Sequence, residues 1–212
     1  MLSILIQQEL LWCSLIKTHA LVCSNLDVLP LQQELLDNYD EFDKIDLRRL
    51  GNSPHKEMTD IWVRYNPIEN YSDDILNGTS NFNNEHDARW YPVIDKLPSL
   101  KKVVFDLMRV VDGERLGGIF ITKLDAGGKI DKHTDNGWHA EYYDKFYVPI
   151  LNKKGSMFCF EDGNIDPNLG DAWWFDNSTV HWVDNNTDSD RIAMIVCIRT
   201  DKYKDKNARR IA

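Results

Sequence analysis

The chain has 212 residues, 42% of them apolar, with seven tryptophans and a formal net charge of −9. That composition fits one folded domain over residues 1–212 with a sizeable core, and excludes a disordered chain. The acidic balance opposes nonspecific binding to nucleic acid, which depends on basic surface displacing counterions, and equally opposes docking on anionic membranes.

The N-terminal segment MLSILIQQELLWCSLIKTHALVCSN is apolar but is broken early by Gln7, Gln8 and Glu9. No basic residue leads it and no small-residue cleavage site follows, so it does not read as a secretory signal. Its uninterrupted run is too short to span a bilayer. Leu5, Leu10 and Leu15 recur near helical spacing, which predicts a helical extension over residues 1–24 packed on the domain. Of the four cysteines, Cys13, Cys23, Cys159 and Cys197, none forms a Cys-x-x-Cys pair, which argues against structural zinc. Cys159 and Cys197 sit in apolar runs, as free buried thiols do. A reducing, cytoplasmic compartment is the simplest reading.

Pro30 opens PLQQELLDNYDEFD, a predicted helix with proline in its first turn. IWVRY at 61–65 reads as a strand. Residues 66–86 are polar and rich in Asn, Asp and Ser, a long loop of the kind that carries function. Leu97, Leu100, Val104, Leu107 and Val111 form one stripe, predicting a helix over 92–111. From Leu116 the pattern changes. LGGIFITKL, KFYVPIL, SMFCFED, DAWWFD, TVHWVD and RIAMIVCI alternate with turn residues, as in a β sandwich or barrel. The expectation is a mainly β fold with flanking helices and a β core over 116–200. No phosphate loop, repeat or linker interrupts it.

Within that core His133-Thr134-Asp135 is followed by His181 and then Arg191. On a strand, residues two apart share a face, so His133 and Asp135 can point together, and a distant strand can bring in His181. Two neutral imidazoles and one carboxylate suit Fe(II) and leave coordination positions open. Arginine offers a planar fork that grips a carboxylate, so Arg191 can hold the far end of a bound diacid. Ala193, next on the same face, is small enough to leave room for it. Taken singly these residues have plainer readings: His133 and Asp135 in a polar turn, Arg191 in a surface ion pair after DNNTDSD. A compact rival site of His133, Asp135 and His139 is opposed by Gly137, which interrupts a continuous strand. His139 then reads as a loop residue, and His19, His55 and His86 as surface residues.

The stretch from Gly127 to Thr200 resembles the aspartyl/asparaginyl β-hydroxylase family of 2-oxoglutarate/Fe(II)-dependent oxygenases. The pieces that carry the resemblance are HTD, KFYVPIL, GDAWWFDNSTVHWVDNN and RIAMIV, with Phe175-Asp176, His181, Val183, Asn185 and Arg191 in the family's order. The resemblance implies a double-stranded β-helix (a jelly roll, cupin-like). It implies Fe(II) on His133, Asp135 and His181, and Arg191 on the distal carboxylate of 2-oxoglutarate. Lys145 and Tyr147 stand where the family often has Arg and His facing the same co-substrate. Both keep a polar donor, but lysine is a point charge and not a fork. A strand edge with a solvated lysine and a packed tyrosine is the competing reading. The presence of Asp135 favours hydroxylation over halogenation.

Outside the ligands, Asp176 in FDNST reads as an Asx turn fixing the approach to His181. Trp138, beside Gly137, reads as the aromatic best placed to touch substrate, with residues 66–86 and 136–144 framing access. The expected activity is hydroxylation, with dioxygen, of an aspartyl, asparaginyl or prolyl residue in a peptide or protein, or of a free amino acid. The reading from another class is a non-catalytic, metal-binding cupin-like module.

Overall fold

The computed structural model describes residues 18–69 and 88–200. Its strands are β1 (His19–Cys23), β2 (Met58–Tyr65), β3 (Arg89–Trp90), β4 (Gly113–Leu124), β5 (Lys129–His133), β6 (Asp144–Leu151), β7 (Ser156–Phe160), β8 (Gly163–Ile165), β9 (Ala172–Phe175), β10 (His181–Asn185) and β11 (Arg191–Thr200). The helices are α1 (Leu29–Asp37), α2 (Pro98–Val110) and a short α3 (Trp138–Tyr142). Among these residues no helix is long and apolar enough to cross a membrane.

The strands form two sheets. One has seven strands in the order β1-β9-β6-β11-β4-β2-β3, the other four in the order β5-β10-β7-β8. Every described pairing is antiparallel. This is the two-sheet jelly roll, the double-stranded β-helix expected from the sequence.

Alternation along the strands divides the core in two. On β6, Phe146, Val148 and Ile150 point outward and join Ile192, Met194 and Val196 of β11 under Leu31 and Leu35 of α1 and Leu100, Val104 and Leu107 of α2. Tyr147 of β6 and Ala193 of β11 point the other way. They pack against Phe158, Phe160 and Val183 of the smaller sheet. The helices thus cover one face of the large sheet, and the second face is free to line an interior between the sheets. Ala193 lies on the same inner face as Arg191, as its spacing predicts.

Several expected elements differ in detail. Residues 1–17 of the predicted helical extension lie outside the described residues, but its last part is not helical. Residues 19–23 form strand β1 on the edge of β9, with His19 opposite Phe175 and Ala20 opposite Trp174. An open sheet edge offers these residues backbone partners that an isolated helix turn does not. The predicted helix from Pro30 ends at Asp37, and a 3₁₀ turn follows at Tyr39–Glu41. The one predicted over 92–111 divides into a 3₁₀ turn at Pro92–Lys96 and α2 from Pro98. Pro98 disfavours helical backbone at Leu97, which sits at φ −123°, ψ 57°. Residues 136–144 are not wholly loop, since they contain α3, entered through Gly137 at φ +85°. Most of the polar segment 66–86 lies outside the described residues.

Candidate active site

β10 enters the interior with His181 and Val183 inward and Trp182 turned out. β5 runs beside it and places His133 directly opposite His181. The two rings lie 4.3 Å apart between centroids. Asp135 is not on the strand with His133, as the two-residue spacing had predicted. β5 ends at His133, and the next turn carries Asp135 inward, held by its backbone N–H donating to the Asn177 carbonyl at 2.8 Å. The outcome for the side chains is nevertheless the expected convergence. His133 Nε2 is 4.0 Å from Asp135 Oδ1, and His181 Nε2 is 3.7 Å from Asp135 Oδ2.

Both imidazoles are oriented by the backbone. His133 Nδ1 lies 2.7 Å from the Asp131 carbonyl and His181 Nδ1 lies 2.9 Å from the Thr179 carbonyl. A carbonyl can only accept, so each Nδ1 carries the hydrogen and each Nε2 presents a lone pair toward Asp135. The Thr179 carbonyl is itself fixed. Asp176 Oδ1 accepts from the backbone N–H of Ser178 at 3.0 Å and from its hydroxyl at 2.5 Å, and the Asp176 carbonyl accepts from Thr179 Oγ1 at 2.7 Å. The Asx turn expected at Asp176 is present, and it ends on the carbonyl that aims His181.

Electrostatics keep this cluster in a metal-ready form. Burial raises the Asp135 carboxyl, but the Lys145 ammonium together with the neighbouring His181 and His133 outweighs it and holds the carboxyl well below the usual carboxylate range. Lys145 Nζ donates to Asp135 Oδ2 at 2.6 Å. Burial pushes His181 down to about 4, with His133 adding to the effect and Asp135 opposing it. Burial also lowers His133. At neutral pH the set is therefore two neutral imidazoles and one carboxylate, the donor chemistry that fits Fe(II).

Arg191, first residue of β11, points into the same cavity and is only 3% exposed. Its guanidinium stands 5.1 Å from the Tyr147 ring centre. Its Nε is buried without a hydrogen-bond partner, as is the Tyr147 hydroxyl. Among the described residues it meets no carboxylate. The surface ion pair is excluded by its burial. Lys145 is not solvated but pairs with Asp135, whereas Tyr147 is fully buried, as the packed tyrosine of the competing reading also requires. A buried guanidinium without a counter-ion is costly unless an anion joins it. The cavity holds about 460 Å³ including its open mouth, with Arg191, Thr122 and Ile195 along it and His133, Asp135, His181 and Lys145 at the cluster.

Two residues of this cavity escape sequence reasoning. His55, expected at the surface, packs its ring edge-on to His133 with centroids 4.6 Å apart, and lines the cavity. Arg48 lines it too, with Nη1 3.2 Å from both oxygens of the buried Asp60. Both lie before β2, far in sequence from His133, Asp135, His181 and Arg191, in a segment without periodicity. His19 is likewise buried, stacked on Phe160 at 4.7 Å; His86 lies outside the described residues. The rival ligand His139 turns away, its ring packed on Tyr65 and Tyr143, and does not line the cavity. Nor does Trp138, which packs beside Tyr142 and Tyr143.

The profile of the family described as Aspartyl/Asparaginyl beta-hydroxylase matches residues 32–200. No curated protein sequence is significantly similar to the chain. Among solved structures, a prolyl hydroxylase from Trichoplax adhaerens, in complex with a peptide fragment of the hypoxia inducible factor oxygen degradation domain, is similar in fold. It has 11% identity and a TM-score of 0.57, covering 95% of each chain. A 2OG-Fe(II) oxygenase family oxidoreductase from Burkholderia pseudomallei aligns at 13% identity and a TM-score of 0.49, over 84% of this chain and 92% of its own.

Proposed function

The chain belongs to the aspartyl/asparaginyl β-hydroxylase family of Fe(II)- and 2-oxoglutarate-dependent oxygenases, and on that premise we propose that it hydroxylates an aspartyl, asparaginyl or prolyl residue of a peptide or protein, or a free amino acid. His133, Asp135 and His181 would hold the iron. Arg191 would hold the distal carboxylate of 2-oxoglutarate. The observation that carries this reading is the buried guanidinium of Arg191, which meets no carboxylate among the described residues, in the same cavity as the two aimed imidazoles and Asp135.

When bound, iron and 2-oxoglutarate supply the oxidation: one atom of dioxygen enters the substrate as hydroxyl, the other enters succinate, and carbon dioxide leaves. The chain's own residues orient and shield. The Asp131 and Thr179 carbonyls fix the two rings, and Lys145 keeps Asp135 ionised. The Tyr147 ring lies against the Arg191 guanidinium, and its buried hydroxyl has a hydrogen to donate, which supports the reading that both receive the same carboxylate. Lys145 already donates to Asp135, so its part in holding the co-substrate is secondary to its part in charging the metal ligand. Phe158 and Phe175 close the cavity wall and exclude water.

A peptidyl target is supported by the similar fold of the Trichoplax enzyme that holds a peptide. A reducing cytoplasmic location is supported by the free Cys23, Cys159 and Cys197. The test is an unbiased screen of peptides and amino acids with the iron-loaded protein and 2-oxoglutarate, read as a mass gain of one oxygen atom on the substrate together with succinate. Iron and 2-oxoglutarate binding without succinate in any condition would instead fit a non-catalytic metal-binding module.

A further inference from the structure

The inner face of the large sheet continues past the metal cluster. Along β11, Arg191 and Ile195 line the cavity, Cys197 lies opposite Lys145 of β6, and Arg199 is the next residue on that face. Arg199 in turn lies directly opposite Arg115 of β4. Lys145 reaches Asp135, so the two arginines stand one step along the sheet from the cluster, on the side away from Arg191. Exposure rises in that direction, from buried Arg191 to partly exposed Lys145 and Arg199 and exposed Arg115. Arg199 is fixed in place: Nη1 donates to the Tyr142 carbonyl at 3.0 Å, and the guanidinium lies 4.3 Å from the Tyr142 ring centre. Among the described residues neither arginine forms an ion pair with a carboxylate. Like charges directly opposite on adjacent strands weaken a sheet. Such a pair, with one fork held ready, suits an anion from outside the chain. The sequence that follows β11, DKYKDKNARRIA, carries five basic residues against two acidic ones, in a chain whose net charge is −9.

We propose that Arg115 and Arg199 dock an acidic stretch of the substrate polypeptide, beside the residue it presents to the metal. The inference rests on the reading that the substrate is peptidyl. Placement and charge carry it: the pair shares a sheet face with the cavity, on its more exposed side, and has no carboxylate partner among the described residues. An extended polypeptide advances about 3.3 Å per residue, so carboxylates within about five positions of the target reach the pair. The chain's net charge repels a long polyanion such as nucleic acid, whereas a short acidic stretch needs only the local positive charge.

The experiment uses fluorescein-labelled peptides with a central Asp, Asn or Pro, flanked by Glu-Ser, Ser-Gly or Lys-Ser repeats. Fluorescence anisotropy with the full chain, loaded with Co(II) and 2-oxoglutarate, reads binding without turnover. Mass spectrometry with the Fe(II)-loaded chain reads hydroxylation. The expected result is that the wild type prefers Glu-flanked peptides, and that the double variant Arg115→Gln, Arg199→Gln binds them roughly 2–30-fold more weakly. The double variant Arg115→Lys, Arg199→Lys keeps the preference, and Arg115→Glu, Arg199→Glu turns it toward Lys-flanked peptides. No preference for Glu flanks in the wild type, or an undiminished one in the Gln variant, would overturn the proposal. Hydroxylation that ignores the flanks would overturn it too, while leaving the hydroxylase reading intact. Arginine-dependent binding of Glu-flanked peptides with no hydroxylation of any peptide would uphold the docking surface and overturn the peptidyl-substrate reading instead. Tighter binding of a short single-stranded DNA, or of phosphatidylserine vesicles, than of the Glu-flanked peptides would assign the pair to another anion and overturn the proposal. Arg115 is exposed, so Arg115→Glu alone tests the same reversal if an Arg199 variant fails to fold.

Discussion

Lys145 Nζ donates to Asp135 Oδ2 at 2.6 Å, and both side chains are more than four-fifths buried. The contact joins β6 of the large sheet to the turn after β5 of the small one. In the metal-free chain, Lys145 is the counter-charge that lets a metal-binding carboxylate stay ionised in the interior. A bound divalent ion supplies positive charge at the same carboxylate, so the two cations overlap in what they do for the fold.

Lys145→Met therefore costs the metal-free protein more than the loaded one. Breaking a buried pair leaves an uncompensated charge worth at most about 3–5 kcal/mol. The expected outcome is a lower melting temperature without metal and a larger metal-induced rise in Tm than in the wild type. Thermal melts with and without Co(II) measure both. An equal rise in the two proteins would mean that Lys145 and the metal do not share Asp135.

Arg191→Ala should weaken 2-oxoglutarate binding while leaving metal content unchanged. A bidentate charged contact to a buried partner is worth roughly 2–5 kcal/mol, about 30-fold to several thousand-fold in affinity. Arg191→Lys keeps the charge but not the fork and should fall between the two. Calorimetric titration of the Co(II)-loaded protein with 2-oxoglutarate gives the affinities. Unchanged binding in Arg191→Ala would remove Arg191 from the co-substrate site.

These two contacts also show where sequence reading reaches its limit. Arg191, Ala193 and Tyr147 were readable because strand alternation fixes which face a residue takes once the strand is located, and RIAMIVCI and KFYVPIL are clear strands. His181 was readable for the same reason. The convergence of His133 and Asp135 came out as expected by a different route, a turn in place of a continued strand. The turn exists because Asn177, on another segment, accepts a backbone bond that no local pattern encodes. His55 and Arg48 were not readable at all. They reach the cavity through a chain of turns whose path depends on tertiary bonds such as Asp131 N–H to the Pro54 carbonyl. Strand β1 was missed because apolar residues at helical spacing carry no information about an unpaired sheet edge elsewhere.

Asp176→Ala should loosen the metal site without touching a ligand. The Asp176 carboxylate sets the turn whose Thr179 carbonyl aims His181. Removing an orienting partner of a metal-bound histidine typically costs roughly 10–100-fold in metal affinity. Asp176→Asn keeps the acceptor oxygen and should restore most of it. Chelator competition with Co(II) separates the three proteins. Equal affinity in wild type and Asp176→Ala would confine the turn to a local structural role.

Tyr147→Phe is predicted to act in opposite directions on two measurements. The hydroxyl is buried and unpartnered in the chain, so its removal should leave the ligand-free protein as stable or more stable. With 2-oxoglutarate present the lost hydrogen bond should weaken binding by about 1 kcal/mol, close to fivefold. Melting curves with and without the co-substrate test both signs. Destabilisation in the ligand-free protein would mean that the hydroxyl has a structural partner.

The central claim is that this jelly roll turns over 2-oxoglutarate on a metal held by His133, Asp135 and His181. The most direct measurement is succinate released from 2-oxoglutarate by the Fe(II)-loaded protein in air, comparing wild type, His181→Ala and His139→Ala, with circular dichroism to confirm folding. The account predicts iron-dependent succinate formation in the wild type and in His139→Ala, and background levels in folded His181→Ala. Undiminished succinate formation in His181→Ala, or its loss in folded His139→Ala alone, would contradict it.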